Sequence, residues 1–489
     1  MTDVIDELKR ELGTCVKTDL PAREEHRGDS WMLAELAAFE ERERPYPIAV
    51  VTAGETADVA SCLSICRRHD TPVIPYGGGS GVCGGIQSAG NEVVVSTRGL
   101  DGMVNLNDRD LTATFRAGTL GIDAENRVRE EGLTIGHWPQ SVELSTVGGW
   151  VATRAAGQYS TAYGNIEDVV LAMEVVLPDG SVIRTRATPR ASAGPDLRQL
   201  FMGSEGTLGV VTEVTFSLRP LPEAETRAAF HFPSFSEGIE ALQRMMRAGW
   251  RPPVVRLYDA PESARHFGDA SPPDRAMLIL IHEGPAAAVE AEARCVAELC
   301  TEAGGERADS SVVDHWHAER NHVPRFRSFL ERGVIVDTIE VASTWSRVSE
   351  LYDRVTKSLQ EIPEVLVATA HSSHSYRSGT NLYFSFAARP EDPTRLEELY
   401  RECWDRTMRE TIACGAGIAH HHGVGRVRRD FLADEIGSEG VRVLRQIKAA
   451  LDPGDLLFTG TPAGVASVKP GDLLVASIEG TPMLDVKVV

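Results

Sequence analysis

The sequence has no long hydrophobic run. Its most apolar stretch, Ala276 to His282, has the length of a strand, whereas a membrane-spanning helix needs about 18 apolar residues or more. Residues Met1 to Gly13 are charged and contain no apolar core, so we expect no secretory signal peptide. Hydrophobic residues make up 42% and charged residues 25% of the 489 positions, which is the balance of a globular protein. The composition therefore excludes a membrane-spanning, a collagen-like and a disordered chain.

Positive charge is also scarce. Lys and Arg number 50 against 71 Asp and Glu, which gives a formal net charge of −21. Such a chain repels nucleic-acid phosphates, so we expect no nucleic-acid partner. The eight cysteines form no CxxC pair. This usage is typical of reduced thiols in a cytoplasmic protein, with metal or redox use as the alternative.

The order of predicted elements changes at residues 219–223, where two prolines stand within three residues. Strands alternate with helices before this junction. After it, the pattern predicts a strand–helix–strand–strand–helix series typical of a ferredoxin-like sheet backed by helices. We therefore predict an α+β protein in four segments. They are a helical lead-in (1–45), a first domain (46–222), a second domain (223–455) and a C-terminal extension (456–489).

A glycine-rich turn follows the predicted strand Pro72 to Tyr76. Four of the five residues from Gly77 to Gly81 are glycine, so backbone N–H groups can converge on an anion that any Cβ would keep away. The turn does not match GxGxxG, and no helix clearly opens from it. The pattern favours a phosphate-binding loop, and a flexible surface turn is the alternative.

Three further stretches, 140–150, 153–157 and 204–211, combine small residues with hydroxyls, as a chain wrapped around a long polar ligand would. In this order and spacing, the four stretches resemble the PCMH-type FAD-binding domain of the vanillyl-alcohol-oxidase superfamily. Within it, the chain from about residue 45 to 455 is most similar to the alkyldihydroxyacetonephosphate synthase family. The resemblance implies a two-subdomain FAD-binding domain followed by a ferredoxin-like cap domain that binds substrate.

The resemblance also implies which residues contact FAD. Family members that tether FAD covalently at this turn usually carry a histidine in it, and this turn has none, so we expect non-covalent FAD. The residues implied to contact the cofactor are Pro75, Tyr76, Gly77, Gly78, Gly79, Ser80, Gly81, Gln140, Ser141, Val142, Glu143, Leu144, Ser145, Thr146, Thr153, Arg154, Ala155, Ala156, Glu205, Gly206, Thr207, Leu208, Gly209, Val210 and Val211.

Three adjacent histidines, His420, His421 and His422, precede Gly423. Adjacent residues cannot share one helical face, so the run is an awkward metal site and we predict none. Imidazole titrates near neutral pH and donates hydrogen bonds to oxyanions, which favours a loop that handles protons or holds anions. A surface feature without function is the alternative. The run resembles the histidine loop of the synthases, whereas related 2-hydroxy-acid dehydrogenases tend to place a glutamate there.

The resemblance assigns roles to three more residues. Tyr383, on an alternating strand, matches the acid/base of the family, and its alternative is a core tyrosine. Arg256 is a charge on an apolar strand, which must meet an anion or a protein carboxylate. It matches an arginine needed for activity. His137 matches a functional histidine, with a structural role as the alternative.

One position departs from the family pattern. The arginine that binds the substrate phosphate in the family falls at His371, with His374 close by. Histidine binds phosphate more weakly and only when charged, so the departure weakens the expectation of a phosphorylated substrate. Arg426, Arg428 and Arg429 follow the histidine loop. We interpret them mainly as a solvated helix start, and the alternative is that they supply positive charge to the site.

The resemblance implies exchange of an acyl for an alkoxy group through a flavin N5 adduct, as in ether lipid synthesis. The alternative is an FAD-linked oxidase or dehydrogenase of 2-hydroxy acids or alcohols, of the D-lactate or glycolate type. A non-catalytic flavoprotein is a third hypothesis. We expect a small-molecule or lipid-like substrate, peripheral membrane contact for a lipid-like one, and a homodimer.

The C-terminal extension looks different from the rest of the chain. Residues 453–465 and 469–472 resemble the closing segment of fumarylacetoacetate-hydrolase-type enzymes. We find no carboxylate set that would hold their Mg²⁺. We therefore expect a β-rich extension without hydrolase chemistry.

Overall fold

The computed structural model describes residues 2–323, 326–459, 473–478 and 481–487. Its α+β content confirms the predicted fold class. The described α-helices are Thr2–Leu12, Leu20–Glu25, Met32–Phe39, Thr56–Arg68, Gly121–Arg129, Val147–Thr153, Ser160–Tyr163, Ile166–Val169, Arg198–Phe201, Phe235–Ala248, Ala260–Phe267, Ala286–Glu302, Ser311–Glu319, Arg327–Leu330, Val348–Gln360, Leu396–Ala413 and Leu432–Leu451. None of these described helices is long and apolar enough to cross a membrane.

Two sheets build what we call the first half of the molecule. A four-stranded sheet runs in the order Val16–Lys17, Ala49–Thr52, Val93–Ser96, Val73–Tyr76, with the last three strands parallel. A five-stranded antiparallel sheet runs in the order Met103–Asn107, Thr112–Arg116, Val210–Ser217, Val170–Val176, Val182–Arg184. A short pair, Arg219–Pro220 with Leu133–Thr134, lies near the predicted junction.

A seven-stranded antiparallel sheet and its helices build the second half. Its order is Glu306–Ala308, Ala224–Phe232, Ala276–Gly284, Val254–Tyr258, Val365–Ser372, Gly379–Ala388, Ile335–Thr344. Side chains alternate between the two faces of a strand. Val255, Leu257 and Phe384 therefore join the core formed with the long helices. Their neighbours Arg256 and Tyr383 point to the opposite face.

The ends of the chain connect the two halves. The helix Thr2–Leu12 buries Val4 and Leu8 in the core of the four-stranded sheet, whereas Met32 and Leu36 join the core of the second half. The predicted helical lead-in is thus shared between the halves.

The C-terminal part returns to the first half. Ile447 packs on the core of the five-stranded sheet, and Leu457 pairs with Val73 in parallel. The start of the predicted extension therefore belongs to the first half. The strands Leu473–Ile478 and Thr481–Lys487 pair antiparallel, and residues 460–472, 479–480 and 488–489 of the extension lie outside the described residues.

Candidate active site

The glycine-rich turn packs its main chain directly on another predicted stretch. A Cβ on Gly78 would lie 2.1 Å from the carbonyl oxygen of Leu144, and one on Gly77 would lie 2.7 Å from Thr146 Oγ1. Gly79 has a φ of +66°, which side-chain-bearing residues rarely adopt. Glycine is therefore required here, and the structure brings the first two predicted stretches into contact.

The amides of this turn have no hydrogen-bond partner among the residues that the structure describes. None of the five N–H groups from Gly77 to Gly81 donates a hydrogen bond to the described part of the chain. The turn is instead held from behind, because the N–H of Ser30 donates to the carbonyl of Gly81 (2.8 Å). Clustered free amides are the usual partners of phosphate oxygens. The turn thus fits the diphosphate of a dinucleotide.

The other two predicted stretches complete this side. Thr146 caps the helix Val147–Thr153 by accepting from the N–H of Gly149 (3.2 Å), and the N–H of Glu205 donates to the carbonyl of Ala152 (2.8 Å). A Cβ on Gly206 would lie 3.0 Å from Pro75. All four stretches predicted to bind FAD therefore meet.

Not every residue of these stretches offers its side chain to a ligand. Gln140 donates to the carbonyl of His322 (2.8 Å), and Leu144 is 51% exposed. The apolar members Val142, Ala155, Leu208, Val210 and Val211 are buried in the two cores of the first half. Only the main chain of these buried residues is suited to contact a cofactor.

On the second half, a row of polar side chains crosses the sheet. Tyr383 lies opposite Glu340 on one neighbouring strand and opposite His371 on the other. His371 in turn lies opposite Tyr258. Because cross-strand partners share a face, this row lies on the face opposite the helices.

The histidine loop meets this row at the predicted tyrosine. The Tyr383 hydroxyl lies 2.5 Å from His421 Nε2 and 3.3 Å from His422 Nε2. His421 Nδ1 lies 2.6 Å from His420 Nδ1, and His420 Nε2 lies 2.6 Å from the Tyr376 hydroxyl. The predicted tyrosine and histidine loop therefore form one hydrogen-bonded cluster.

A buried ion pair holds the histidine loop in place. Arg428 and Glu340 are both fully buried, and Arg428 Nη2 lies 2.5 Å from Glu340 Oε2. Glu340 accepts from the N–H of His422 (2.9 Å), and its other oxygen lies 2.9 Å from His422 Nδ1. Burial alone would raise the pKa of Glu340, but Arg428 and His422 outweigh it and hold the pKa well below its usual range. The prediction of Arg428 as part of a solvated helix start was wrong, because its charge balances Glu340.

His371 is occupied by the protein. Its Nδ1 lies 3.0 Å from Glu262 Oε1, and its Nε2 lies 3.0 Å from Arg256 Nη2. Arg256 has no acceptor, so it donates to Nε2, and the ring proton must be on Nδ1. Burial lowers the pKa of His371. His371 is therefore a neutral ring that orients Arg256, and it leaves no nitrogen for a substrate phosphate.

Arg256 keeps part of its guanidinium available. Its Nε donates to the Tyr258 hydroxyl (2.9 Å), and the guanidinium carbon lies 5.4 Å from the ring centroid of Trp316. Its Nη1 has no hydrogen-bond partner within the described ranges. Arg256 can thus hold an anionic group beside Tyr383.

Two predicted histidines have unpartnered nitrogens. His374 Nδ1 lies 2.7 Å from Ser373 Oγ, while its Nε2 has no partner among the described residues. The His374 ring lies 5.0 Å from that of His420. His137 is fully buried against Trp150, neither of its nitrogens has a described partner, and burial lowers its pKa to about 3. His374 thus joins the cluster around Tyr383, whereas His137 lies in the core of the first half.

The two halves meet at the histidine loop. Glu205 accepts from the N–H of Val424 (2.7 Å) and of Gly425 (3.2 Å). The N–H of Arg426 donates to the carbonyl of Cys83 (2.8 Å). The loop is therefore fixed against the segment that follows the glycine turn, which places the free amides and the titratable cluster at one boundary.

Three members of this cluster, Glu262, Glu340 and Tyr376, were not predicted from the sequence. The buried role of Arg428 was not predicted either. One signal was present. Glu340 stands between Ile339 and Val341, the same pattern of a charge on an apolar strand that drew attention to Arg256.

Comparison with known proteins agrees with this geometry. The "FAD binding domain" family matches residues 47–186, and "FAD linked oxidases, C-terminal domain" matches residues 221–460. The "Fumarylacetoacetate (FAA) hydrolase C-terminal" family matches residues 442–489. The predicted FAD cofactor, the PCMH-type fold and the resemblance of the extension are confirmed.

Two curated relatives cover most of the chain. The uncharacterised FAD-linked oxidoreductase YgcU of Escherichia coli K12 is 34% identical over 432 residues, which is 85% of this chain and 89% of YgcU. The alkyldihydroxyacetonephosphate synthase of Caenorhabditis elegans is 29% identical over 451 residues, which is 84% of this chain and 75% of that protein. A solved alkyldihydroxyacetonephosphate synthase matches the fold with a TM-score of 0.78 at 23% identity, covering 95% of this chain and 85% of that one.

Proposed function

Because the chain belongs to the FAD-linked oxidoreductases with a PCMH-type fold, we propose that it oxidises a small, anionic hydroxyl compound with FAD as the hydride acceptor. The observation that carries this proposal is the 2.5 Å contact between the Tyr383 hydroxyl and His421 Nε2, beside the available edge of Arg256. A phenol and an imidazole in direct contact can take a proton. The nearby cation can hold the substrate.

The first half supplies the cofactor site. The free amides of residues 77–81 fit the diphosphate, and residues 144–146, 153–156 and 205–207 are the neighbouring stretches that would line the remainder. When bound there, FAD supplies the acceptor for the hydride that leaves the substrate carbon. The protein supplies position, shielding from water and a route for the proton.

The residues that would take the proton of the substrate hydroxyl lie in the second half. Burial raises the pKa of Tyr383 above its ordinary value, so the phenol is protonated in the resting enzyme. His421 is neutral, because burial and the neighbouring rings lower its pKa well below the usual range. We propose that the substrate hydroxyl gives its proton to the Tyr383 oxygen while the Tyr383 proton moves to His421 Nε2. The substrate thereby loses one proton and one hydride and becomes a carbonyl compound.

Arg256 would select an anionic substrate. Its guanidinium is oriented by Tyr258 and His371 and lies over the Trp316 ring. A carboxylate bound at Nη1 would lie next to Tyr383, because His371 contacts both residues. This arrangement favours a 2-hydroxy acid.

A second candidate is the exchange of an acyl for an alkoxy group, as implied by the resemblance to the synthases. It is favoured by the gathering of all three loop histidines within one cluster. The neutral, occupied His371 weighs against a phosphorylated substrate. A lipid-like substrate would go with peripheral membrane contact, and the homodimer and the non-covalent state of FAD remain predictions.

Flavin bleaching separates the two functions. Under anaerobic conditions, D-lactate, glycolate and related 2-hydroxy acids should reduce the bound flavin if the protein is an oxidoreductase. If it is an exchange enzyme, these acids leave the flavin oxidised. Mass spectrometry then finds an alkyl product from acyl-dihydroxyacetone phosphate and a long-chain alcohol. Arg256→Gln tests the role of Arg256 in binding the substrate carboxylate. It should raise the KM for hydroxy acids while FAD remains bound.

A further inference from the structure

A chain of hydrogen-bonding groups leads away from Tyr383. It runs from the Tyr383 hydroxyl to His421 (2.5 Å), from His421 to His420 (2.6 Å) and from His420 to the Tyr376 hydroxyl (2.6 Å). We propose that His421, His420 and Tyr376 form a relay that carries the proton taken by Tyr383 to the boundary between the two halves. This proposal rests on the proposed function, which requires a proton to leave the site.

The two imidazoles can satisfy every contact with one proton each. If Tyr383 donates to His421 Nε2, the proton of His421 is on Nδ1 and is donated to His420 Nδ1. The proton of His420 is then on Nε2 and is donated to the oxygen of Tyr376. Burial lowers the pKa of His420 to about 4, so both rings are neutral near pH 7.

Proton transfer through this chain balances at each atom. The substrate proton bonds to the Tyr383 oxygen as the original Tyr383 proton bonds to His421 Nε2. The N–H bond at His421 Nδ1 breaks as one forms at His420 Nδ1. The bond at His420 Nε2 breaks as one forms at the Tyr376 oxygen. The original Tyr376 proton, which is donated to Asn165 Oδ1 (3.3 Å), then leaves the hydroxyl for solvent. One proton leaves, and each ring ends with its hydrogen on the opposite nitrogen.

The end of the relay lies where the halves meet. Tyr376 is half-buried, and its hydroxyl accepts from Asn165 Nδ2 of the first half (2.9 Å). The preceding residue, Ser375, donates its N–H to Thr161 Oγ1 of the first half (3.2 Å). Both tyrosines are half-buried, but within the described chain only Tyr376 hydrogen-bonds to residues of the first half, so these contacts place its hydroxyl at the boundary between the halves.

The third loop histidine does not belong to the relay. The N–H of His422 donates to Glu340, and His422 Nδ1 lies next to the Glu340 carboxylate. Its contact with Tyr383, at 3.3 Å, is longer than that of His421. The geometry thus places His420 and His421 in the proposed proton path, whereas His422 is held by Glu340.

Tyr376→Phe tests the relay because it removes only the hydroxyl at its end. Tyr163→Phe is the matched control. It also removes a tyrosine hydroxyl at this boundary, one that donates to Glu283 and has no contact with the histidine loop. The first readout is nuclear magnetic resonance of the oxidised holoenzyme with ¹⁵N-labelled histidine, which needs no turnover.

Wild type should show His420 protonated on Nε2 and His421 on Nδ1. Tyr376→Phe should change both signals, and Tyr163→Phe should leave them unchanged. The opposite protonation in wild type, or signals that Tyr376→Phe does not move, would overturn the relay whether or not the proposed function holds.

The second readout is the rate of anaerobic flavin reduction by a hydroxy acid. Tyr376→Phe should slow it by about 10-fold or more, part of the ~100-fold or larger contribution of acid–base catalysis. Added imidazole buffer should restore the rate by carrying the proton instead. A wild-type rate without buffer dependence in Tyr376→Phe would refute the relay. A wild-type protein that no hydroxy acid reduces would refute the proposed function, and the histidine signals would still decide on the relay.

Discussion

The two sides of the candidate site are built from different materials. The cofactor side in the first half offers free main-chain amides and glycines without side chains, and its chemistry depends on the close approach of backbone to backbone. The substrate side in the second half offers titratable side chains whose charges are fixed by partners distant in sequence, 88 residues apart in the Arg428–Glu340 pair and 109 in the His371–Glu262 pair. Cofactor binding thus depends on the geometry of the main chain, whereas proton transfer depends on side chains that shift one another's pKa.

If buried charge organises the substrate side, breaking its ion pair should have the largest effect on stability. Arg428→Met leaves Glu340 buried without a counter-charge. Removing one partner of a buried pair typically costs about 3–5 kcal/mol. We expect a loss of this size in the free energy of unfolding, measured by urea denaturation.

The double variant Glu340→Gln with Arg428→Met is the control for that experiment. It removes both charges and should recover a substantial part of the lost stability. A double variant less stable than Arg428→Met alone would show that the pair does not balance charge in the way described.

The cofactor side should respond to one added methyl group. Gly78→Ala would place a Cβ 2.1 Å from the carbonyl of Leu144, and that backbone cannot move aside without disturbing residues 144–146. Overpacking costs about 1–3 kcal/mol, so the turn should shift to relieve the clash. If FAD binding has to restore the original turn, the same cost weakens FAD affinity by about 5- to 150-fold. Gly54→Ala is the matched control, because its nearest neighbour, Asp58 Oδ2, lies 3.6 Å away. Equal FAD dissociation constants for both variants, measured by flavin fluorescence, would contradict the role of the turn.

A smaller effect should appear in the dependence of stability on pH. His137 has a pKa of about 3 in the folded protein, against about 6.5 when unfolded. Below pH 6.5 the unfolded state binds a proton at His137 that the folded state does not. The free energy of unfolding therefore falls as pH drops from 6.5 towards 3, by about 1.4 kcal/mol at pH 5.5. His137→Phe should lose less stability than wild type between pH 7.5 and pH 5.5 in thermal unfolding. Equal losses in both proteins would refute a neutral, buried His137.

The cofactor side could be predicted from the sequence because its signal is local. Gly77 to Gly81 and the hydroxyl-rich stretches are contiguous, and the structure confirms that they meet. Several elements of the second half were also predictable. The strand–helix–strand order predicted after the junction is present as Ala224–Phe232, Phe235–Ala248 and Val254–Tyr258.

The substrate side was only partly predictable because its partners are distant in sequence. Tyr383, Arg256 and the histidine loop came from the resemblance. The strand Ile335–Thr344, which carries Glu340, was not predicted. Arg428 stands between two other arginines, at 426 and 429, and nothing in the sequence distinguishes the three. Only tertiary packing decides that Arg428 is the fully buried one. Likewise, His371 was assigned to substrate because nothing in its local sequence shows Glu262, 109 residues away.

The most direct test of the account is the rate at which the best hydroxy acid reduces the flavin of Tyr383→Phe under anaerobic conditions. The variant keeps the ring and the whole cofactor side, so FAD should bind as in wild type. Loss of the proton-accepting hydroxyl should slow reduction by about 10²- to 10⁴-fold. Reduction at the wild-type rate, with FAD fully bound, would contradict the assignment of proton transfer to Tyr383 and His421.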